Sequence, residues 1–156
     1  IAGGAEKCRY VVDELGFDAC VDYKAGNLWK DIKEATPQGI DCLFENVGGE
    51  IFDTLLGRMN AFSRIALCGL ISQYNSEPHA MKNIGSVLIN RIRMQGFIVS
   101  EHMERWPQAL QELGQGVATG KIKYRETVAQ GLENAPQAFI GLLKGANLGK
   151  QLVKLI

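Results

Sequence analysis

The sequence lacks the features that mark several classes of protein. Its 17 Lys and Arg residues equal its 17 Asp and Glu residues, so the formal net charge is zero. This balance argues against a nucleic acid or an anionic membrane as partner. No apolar run is long enough to span a bilayer, and no signal-peptide pattern is recognisable. The sequence therefore predicts a cytoplasmic protein that binds neither nucleic acid nor membrane.

Metal-binding spacing is also lacking. The four cysteines include no C-x-x-C pair, and His79 and His102 have no evident ligand partners, so we expect no metal site and expect both histidines on the surface. Cys20, Cys42 and Cys68 fall in predicted strands, where a reduced cysteine acts as a small apolar residue. We expect these three thiols in the core.

What is present is an ordinary globular composition, with 46% apolar and 22% charged residues in a chain of 156. That length suffices for one domain with a core. Helical and extended patterns alternate along the chain, which predicts crossover units on a largely parallel sheet. The predicted helices are 6–15, 27–35, 50–58, 84–90, 104–118 and 134–143. The predicted strands are 17–22, 40–45, 64–68, 94–99 and 150–156, with an extended stretch at 121–127 and a loop at 70–81. The strand at 40–45 is nearly continuous in apolar residues, which predicts burial on both faces.

Two segments combine a short apolar strand with a glycine-bearing loop. They are GIDCLFENVGG at 39–49 and RIALCGLISQYN at 64–75. In an open parallel sheet, ligands bind at the carboxyl ends of the strands, where such loops meet. Asn46 and Tyr74 follow the two strands and could hydrogen-bond a nucleotide or substrate. Taken singly, a turn-forming asparagine and an exposed loop tyrosine are the better interpretations.

The first residues predict a third contact with a nucleotide. Ile1-Ala2 resembles the tail of a strand followed by Gly3 and Gly4, so we expect a longer polypeptide. In a dinucleotide-binding fold the end of the second strand meets the adenosine ribose, and an acidic residue there favours NAD. Gly3 and Gly4 instead leave room for a 2′-phosphate, which Lys7 could neutralise. The pattern favours NADP; a simple helix entry with a solvated Lys7 is equally compatible.

Two further observations concern the same fold. Tyr23 and Lys24 follow the predicted strand 17–22 and could stack on adenine and contact phosphate, or be ordinary surface residues. No G-x-G-x-x-G is present. That turn normally follows the first strand, so we expect it upstream of the first residue.

Taken in order, these segments resemble the zinc-independent medium-chain dehydrogenase/reductases, in the NADP-dependent alkenal, prostaglandin and leukotriene reductase branch. The matching segments are AGGAEKC (2–8), GFD (16–18), DYK (22–24), NVGGE (46–50), CGLISQYN (68–75), GKIKY (120–124), GLEN (131–134) and NLGK (147–150). Each segment alone is weak evidence for the family. Their shared order is specific, and together the segments extend over nearly the whole chain. The resemblance implies an α/β fold with a Rossmann-like doubly wound parallel sheet, incomplete at the N-terminus because the first βα unit is missing.

The resemblance also implies a cofactor, NADP(H), and the residues that hold it. Lys7 would bind the 2′-phosphate beside Gly3 and Gly4, and Tyr23 would lie near the adenosine end. Tyr74 would be the catalytic residue, hydrogen-bonding around the nicotinamide ribose and the reacting carbonyl. The other implied cofactor-binding residues are Asn46 beside the nicotinamide, Cys68, Gly69, Ile71, the pocket residues Phe97, Ile98 and Val99, and Asn147 on the returning C-terminal segment.

The implied reaction is NADPH-dependent reduction of the carbon-carbon double bond of an α,β-unsaturated aldehyde or ketone. Hydride would reach the β-carbon, and Tyr74 or the ribose hydroxyl it holds would stabilise the enolate. Residues 1–120 would form the partial dinucleotide-binding domain, and residues 121–156 would return to a catalytic lobe. The full-length protein is expected to be a homodimer. This chain alone is expected to be inactive, because the central first strand of the order 3-2-1-4-5-6 is absent.

Some departures keep alternatives open. Glu45 stands where the family usually has Asp, and the loop after Asn75 lacks the prolines common in mammalian members, which leaves substrate size open. A quinone reductase of the same superfamily and a non-enzymatic nucleotide-binding module are the alternatives. A methyltransferase-like domain is disfavoured, because it would normally carry an acidic residue where Gly3 and Gly4 stand.

Overall fold

The computed structural model describes all residues, 1–156, and they divide into two compact units. The first unit holds residue 1 and residues 21–106, and the second holds residues 2–20 and 107–156. Each unit contains a parallel sheet, so the predicted α/β class is confirmed. The predicted functional boundary at residue 120 differs from this division by contacts and stays a prediction.

The first unit is built on three parallel strands in the order β1-β2-β3. Helices precede and connect the strands, as parallel neighbours require. The strands are β1 (Ile40–Glu45), β2 (Met59–Leu67) and β3 (Arg93–Gly96). The helices are α2 (Leu28–Ala35), α3 (Gly49–Leu56) and α4 (Gly85–Ile89), which follow helix α1 (Ala5–Arg9) of the second unit in the chain.

Helix α3 supplies much of the core of the first unit. Phe52 and Leu56 pack with Ile65 of β2 in one cluster, and Leu55 packs with Ile32 of α2 in another. Full burial of such a side chain contributes about 1.5–3 kcal/mol, and Leu56 and Ile32 are 0% and 1% exposed. Because α3 directly follows β1 and leads into β2, this packing fixes the positions of both strands.

The other face of the sheet is exposed. Phe44 is 65% exposed, whereas the adjacent Leu43 packs against the core, as expected for side chains that alternate across a strand. The prediction that residues 40–45 are buried on both faces is therefore wrong. Cys42 and Cys68 are also exposed, so the prediction that they belong to the core is wrong as well.

No strand forms over residues 17–22, contrary to the prediction. The preceding helix α1 (Ala5–Arg9) continues into a π-helical turn, Tyr10–Glu14, and the chain then follows an irregular path. Aspartates, which are depleted in strands, occupy positions 18 and 22. Val21 packs instead into the helical cluster with Ile32 and Leu55, so its side chain serves helix packing rather than a sheet.

The second unit combines α1 and the π-helical turn with the C-terminal part of the chain. Its two parallel strands are paired in register, and Arg125 forms an ion pair with Glu14 and lies 4.9 Å over the ring of Tyr10. The elements are α5 (Trp106–Ala118), β4 (Glu126–Gln130), α6 (Ala135–Leu143) and β5 (Lys150–Lys154). The extended stretch predicted at 121–127 thus lies a few residues later. None of the helices in the structure is both long and apolar enough to cross a membrane.

Candidate cofactor-binding site

A buried carboxylate holds the loop that follows β1. Glu45 is 2% exposed, and its Oε1 accepts hydrogen bonds from the backbone N–H groups of Val47 at 2.5 Å and Gly48 at 2.6 Å. Gly48 has a φ of 77°, a left-handed conformation that glycine adopts at little cost. The carboxylate thus shapes the turn from β1 into α3 and leaves Asn46 exposed at the carboxyl end of the strand.

The loop after β2 is bonded to the loop after β1. The backbone N–H of Cys68 donates to the carbonyl oxygen of Glu45 at 2.8 Å, and that of Ile71 donates to the carbonyl oxygen of Asn46 at 3.2 Å. Contact between the two strands therefore continues beyond the sheet. The two glycine-bearing segments identified from the sequence therefore contact each other at the carboxyl edge of the sheet.

Gly69 lies against the side chain of Asn46. A Cβ atom added at Gly69 would collide with Oδ1 of Asn46, and one added at Gly48 would come within 3.0 Å of the side chain of Leu70. Glycine at these positions lets the two loops approach closely. Oδ1 of Asn46 therefore lies directly beside the backbone of the second loop.

A surface cavity of about 470 Å³ opens at the carboxyl ends of β2 and β3, within the usual size range of small-molecule sites. The ring of Phe97 lies 6.3 Å from that of Phe44 on β1, and its backbone N–H donates to the carbonyl oxygen of Leu67 at 3.1 Å. The cavity is lined by five predicted site residues, Cys68, Gly69, Tyr74, Phe97 and Ile98, together with Leu67, Leu70, Gly96 and Glu101.

Other predicted residues of the first unit lie outside this cavity. Ile71 begins a short 3-10 turn, and Val99 begins another that leads to α5; both side chains are exposed. Tyr23 is 42% exposed, with the ammonium of Lys24 at 5.9 Å from the centre of its ring. The roles predicted for these residues stay predictions.

In the second unit, Lys7 lies beside the loop that carries Asn147. Its ammonium donates to the carbonyl oxygen of Gly145 at 2.5 Å, while Nδ2 of Asn147 donates to the carbonyl oxygen of Gly149 at 2.7 Å. An ammonium has three donors, so this bond leaves capacity for an anion. The structure thus brings two predicted cofactor residues from opposite ends of the sequence to one region.

The glycine pair before α1 fits an adenosine with a 2′-phosphate. Neither Gly3 nor Gly4 carries a carboxylate that would repel the phosphate. A Cβ atom placed on Gly4 would meet no atom within 4 Å, and φ there is 100°, so the backbone is accessible on that side. With Lys7 one turn later, the donor set matches the chemistry of NADP(H) better than that of NAD(H).

Sequence reasoning missed a buried acidic group. Asp53 on α3 is 4% exposed and accepts hydrogen bonds from the backbone N–H groups of Asn83 at 2.8 Å and Lys82 at 3.0 Å. Burial alone would raise the pKa of Asp53; these bonds and the side chain of His79 outweigh it, and the pKa lies below its usual value. Asp53 thus anchors the far end of the loop that carries Tyr74.

The two histidines differ in how far their side chains are exposed. Nε2 of His79 lies 3.4 Å from Oδ2 of Asp53, and its side chain is 28% exposed, so His79 lies only partly at the surface. His102 is 61% exposed beside Glu104, as predicted. No group of three or more His, Cys, Asp or Glu side chains is arranged to hold a metal ion.

Parallel strands whose glycine-bearing loops gather at one edge define a nucleotide-binding α/β fold. Comparison with known families gives the particular class. The family described as zinc-binding dehydrogenase matches residues 1–115, and the chain belongs to that family. The predicted resemblance to the medium-chain dehydrogenase/reductases is thereby confirmed.

Individual proteins of known name are also similar to this chain in sequence. The chain is 46% identical over 162 residues to the NADPH-dependent curcumin reductase of Escherichia coli strain K12 and 42% identical over 154 residues to a 2-alkenal reductase (NADP(+)-dependent) of Nicotiana tabacum. These alignments include 99% and 97% of the chain but 47% and 45% of the relatives. The chain therefore spans about half the length of the relatives it matches.

A solved structure agrees with the fold. The crystal structure of CurA from Vibrio vulnificus in complex with NADPH superposes with a TM-score of 0.90 at 46% identity. The match covers 99% of this chain and 48% of that one.

Proposed function

We propose that the protein is an NADPH-dependent reductase that adds hydride to the β-carbon of an α,β-unsaturated aldehyde or ketone. The observation that carries this proposal is the cavity at the ends of β2 and β3, where Tyr74 and Phe97 line one surface. Family membership and the names of the similar reductases support it. A cavity with an apolar wall and few polar groups suits a flat nicotinamide and a small enone.

Each side chain at this edge has a proposed task. Bound NADPH supplies the hydride. Asn46, held by the turn that Glu45 shapes, offers an amide donor and acceptor to the carboxamide of the nicotinamide. Phe97 and Ile98 exclude water from the reacting carbon. Tyr74 donates a hydrogen bond, directly or through the ribose hydroxyl, where negative charge develops on the carbonyl oxygen; such donors contribute about 3–4 kcal/mol in comparable sites.

The second unit is proposed to select the cofactor. Lys7 would neutralise the 2′-phosphate, and the absence of a carboxylate at Gly3 and Gly4 would disfavour NAD(H). Asn147 would contact the cofactor from the loop that receives the Lys7 hydrogen bond. We further propose that residues 121–156 return to a catalytic lobe, that the full-length protein is a cytoplasmic homodimer, and that the present chain does not turn over substrate alone.

The test is cofactor oxidation by the full-length protein with a panel of enals, enones and quinones. Loss of the reduced-nicotinamide absorbance with enals or enones, together with a product saturated at the carbon-carbon bond, supports the proposal. Turnover confined to quinones would identify a quinone reductase. NADPH binding without turnover of any compound would leave a nucleotide-binding module and contradict the proposed reaction.

A further inference from the structure

The sulfur atoms of Cys8 and Cys20 lie 3.0 Å apart in the second unit. Cys8 is on helix α1, and Cys20 is on the irregular segment that replaces the predicted strand 17–22. Both residues are partly buried. A disulfide needs its sulfurs about 2.0 Å apart, so the two sulfurs are roughly 1 Å beyond bonding distance. We propose that this thiol pair is a site of reversible oxidation to an intramolecular disulfide.

The bond would close a loop that contains an irregular piece of helix. Between the two cysteines lie the π-helical turn Tyr10–Glu14 and Gly16, whose φ is 77°. Glycine has no Cβ atom and adopts a wide range of backbone dihedral angles at little steric cost, which allows the small approach of the sulfurs. The same helix carries Lys7, so oxidation would fix the segment that leads into the proposed phosphate contact.

The chemistry is a thiol–disulfide exchange with a low-molecular-weight disulfide such as oxidised glutathione. The thiolate of one cysteine attacks a glutathione sulfur, which forms a mixed disulfide and releases one glutathione thiolate. The thiolate of the second cysteine then attacks the protein sulfur of that mixed disulfide and releases the second glutathione. The protein loses two electrons and two thiol protons, and the glutathione disulfide is reduced to two thiols. Where the surroundings are reducing, disulfides of this kind are usually transient.

The other cysteines provide an internal comparison. Cys42 and Cys68 are exposed, so an oxidant reaches them readily, but neither contacts a second sulfur as Cys8 and Cys20 do. Exchange at these thiols should stop at the mixed disulfide. The geometry therefore predicts different products at the two kinds of cysteine under the same conditions.

The test is peptide mapping of the purified native protein after incubation with glutathione disulfide and alkylation of the remaining thiols. Trypsin separates the four cysteines into peptides 8–9, 10–24, 34–58 and 65–82. The expected product is peptide 8–9 linked to peptide 10–24, released by dithiothreitol. The link should persist in a Cys42→Ser/Cys68→Ser variant and disappear in Cys8→Ser. In the urea-unfolded protein, links among all four cysteines should appear instead.

Three outcomes would overturn the proposal. One is separate glutathione adducts on Cys8 and Cys20 with no link between their peptides. Another is a native product in which either is linked mainly to Cys42 or Cys68. The third is no reaction at Cys8 or Cys20 under conditions that modify both exposed thiols. None of these results depends on whether the protein binds NADPH, so the test is independent of the proposed function.

Discussion

The Oε1 atom of Glu45 lies 2.6 Å from the backbone nitrogen of Gly48, and this contact organises the turn in front of α3. The same oxygen accepts a second bond from Val47, while the carbonyl oxygen of Glu45 accepts the N–H of Cys68. One residue therefore joins two loops of the candidate site. Asn46 directly follows this residue, so the turn that Glu45 holds sets where Asn46 lies at the end of β1.

Removal of this carboxylate should loosen the turn. A Glu45→Ala variant leaves the buried N–H of Gly48 and the partly buried N–H of Val47 without this acceptor, so we expect the free energy of unfolding to fall by about 2–3 kcal/mol. Glu45→Gln retains an acceptor without the charge and should lose less. The measurement is denaturant unfolding of the purified protein. Glu50→Ala, an exposed carboxylate in the first turn of α3, is the matched control; a loss as large as that of Glu45→Ala would contradict this role.

Tyr74 is expected to act on the reaction rather than on folding, because its side chain is 67% exposed and lines the cavity. In the full-length enzyme, Tyr74→Phe should lower kcat/KM for an enone by roughly 10²–10³-fold, the cost of one such donor. Steady-state kinetics with a melting curve on the same sample separates the two effects. Tyr124→Phe removes the hydroxyl of another exposed tyrosine and should change neither. Equal activity of Tyr74→Phe and wild type would remove Tyr74 from the mechanism.

Asp53 predicts a pH dependence of stability. Its pKa in the folded protein is below the ordinary value of 3.8, so the ionised form stabilises the fold above that pH. The contribution is lost as pH falls from about 4 through the lowered folded-state pKa. The difference in unfolding free energy between wild type and Asp53→Asn should therefore be largest near neutral pH and shrink below pH 4. A difference that does not change over this range would show that the charge of Asp53 is irrelevant.

The parts of the fold that depend on local pattern could be predicted from the sequence. The apolar run at 40–45, the glycines after it and the apolar face of α3 each indicate a strand, a turn or a helix by themselves, and β1 and α3 form as predicted. The prediction of a strand at residues 17–22 is wrong because the local sequence pattern does not reveal that Val21 packs against helices. The prediction that both faces of β1 are buried is wrong because a short apolar strand has the same sequence pattern whether one or both of its faces are covered.

The contacts that define the site could not be predicted from the local sequence pattern, for a different reason. Lys7 and Gly145 are 138 residues apart, and Asp53 and His79 are 26 apart, so nothing in their spacing indicates proximity. The sequence gives no sign of the hydrogen bonds that the Glu45 carboxylate accepts. The residues at the strand ends could be identified as candidates because the carboxyl ends of parallel strands lie at one edge of the sheet. Hydrogen-bond partners that are distant in the sequence can be identified only from the structure.

Lys7, beside a glycine pair without a carboxylate, is proposed to select NADPH. The most direct measurement is the pair of dissociation constants for NADPH and NADH with full-length wild type, Lys7→Ala and, as a control, Lys123→Ala, which changes an exposed lysine of the same unit. Loss of one charge-assisted contact should weaken NADPH binding by roughly 10–100-fold. We expect Lys7→Ala to bind NADPH that much more weakly and NADH as wild type does, with no change for Lys123→Ala. An unchanged ratio of the two dissociation constants in Lys7→Ala would show that Lys7 does not select the cofactor.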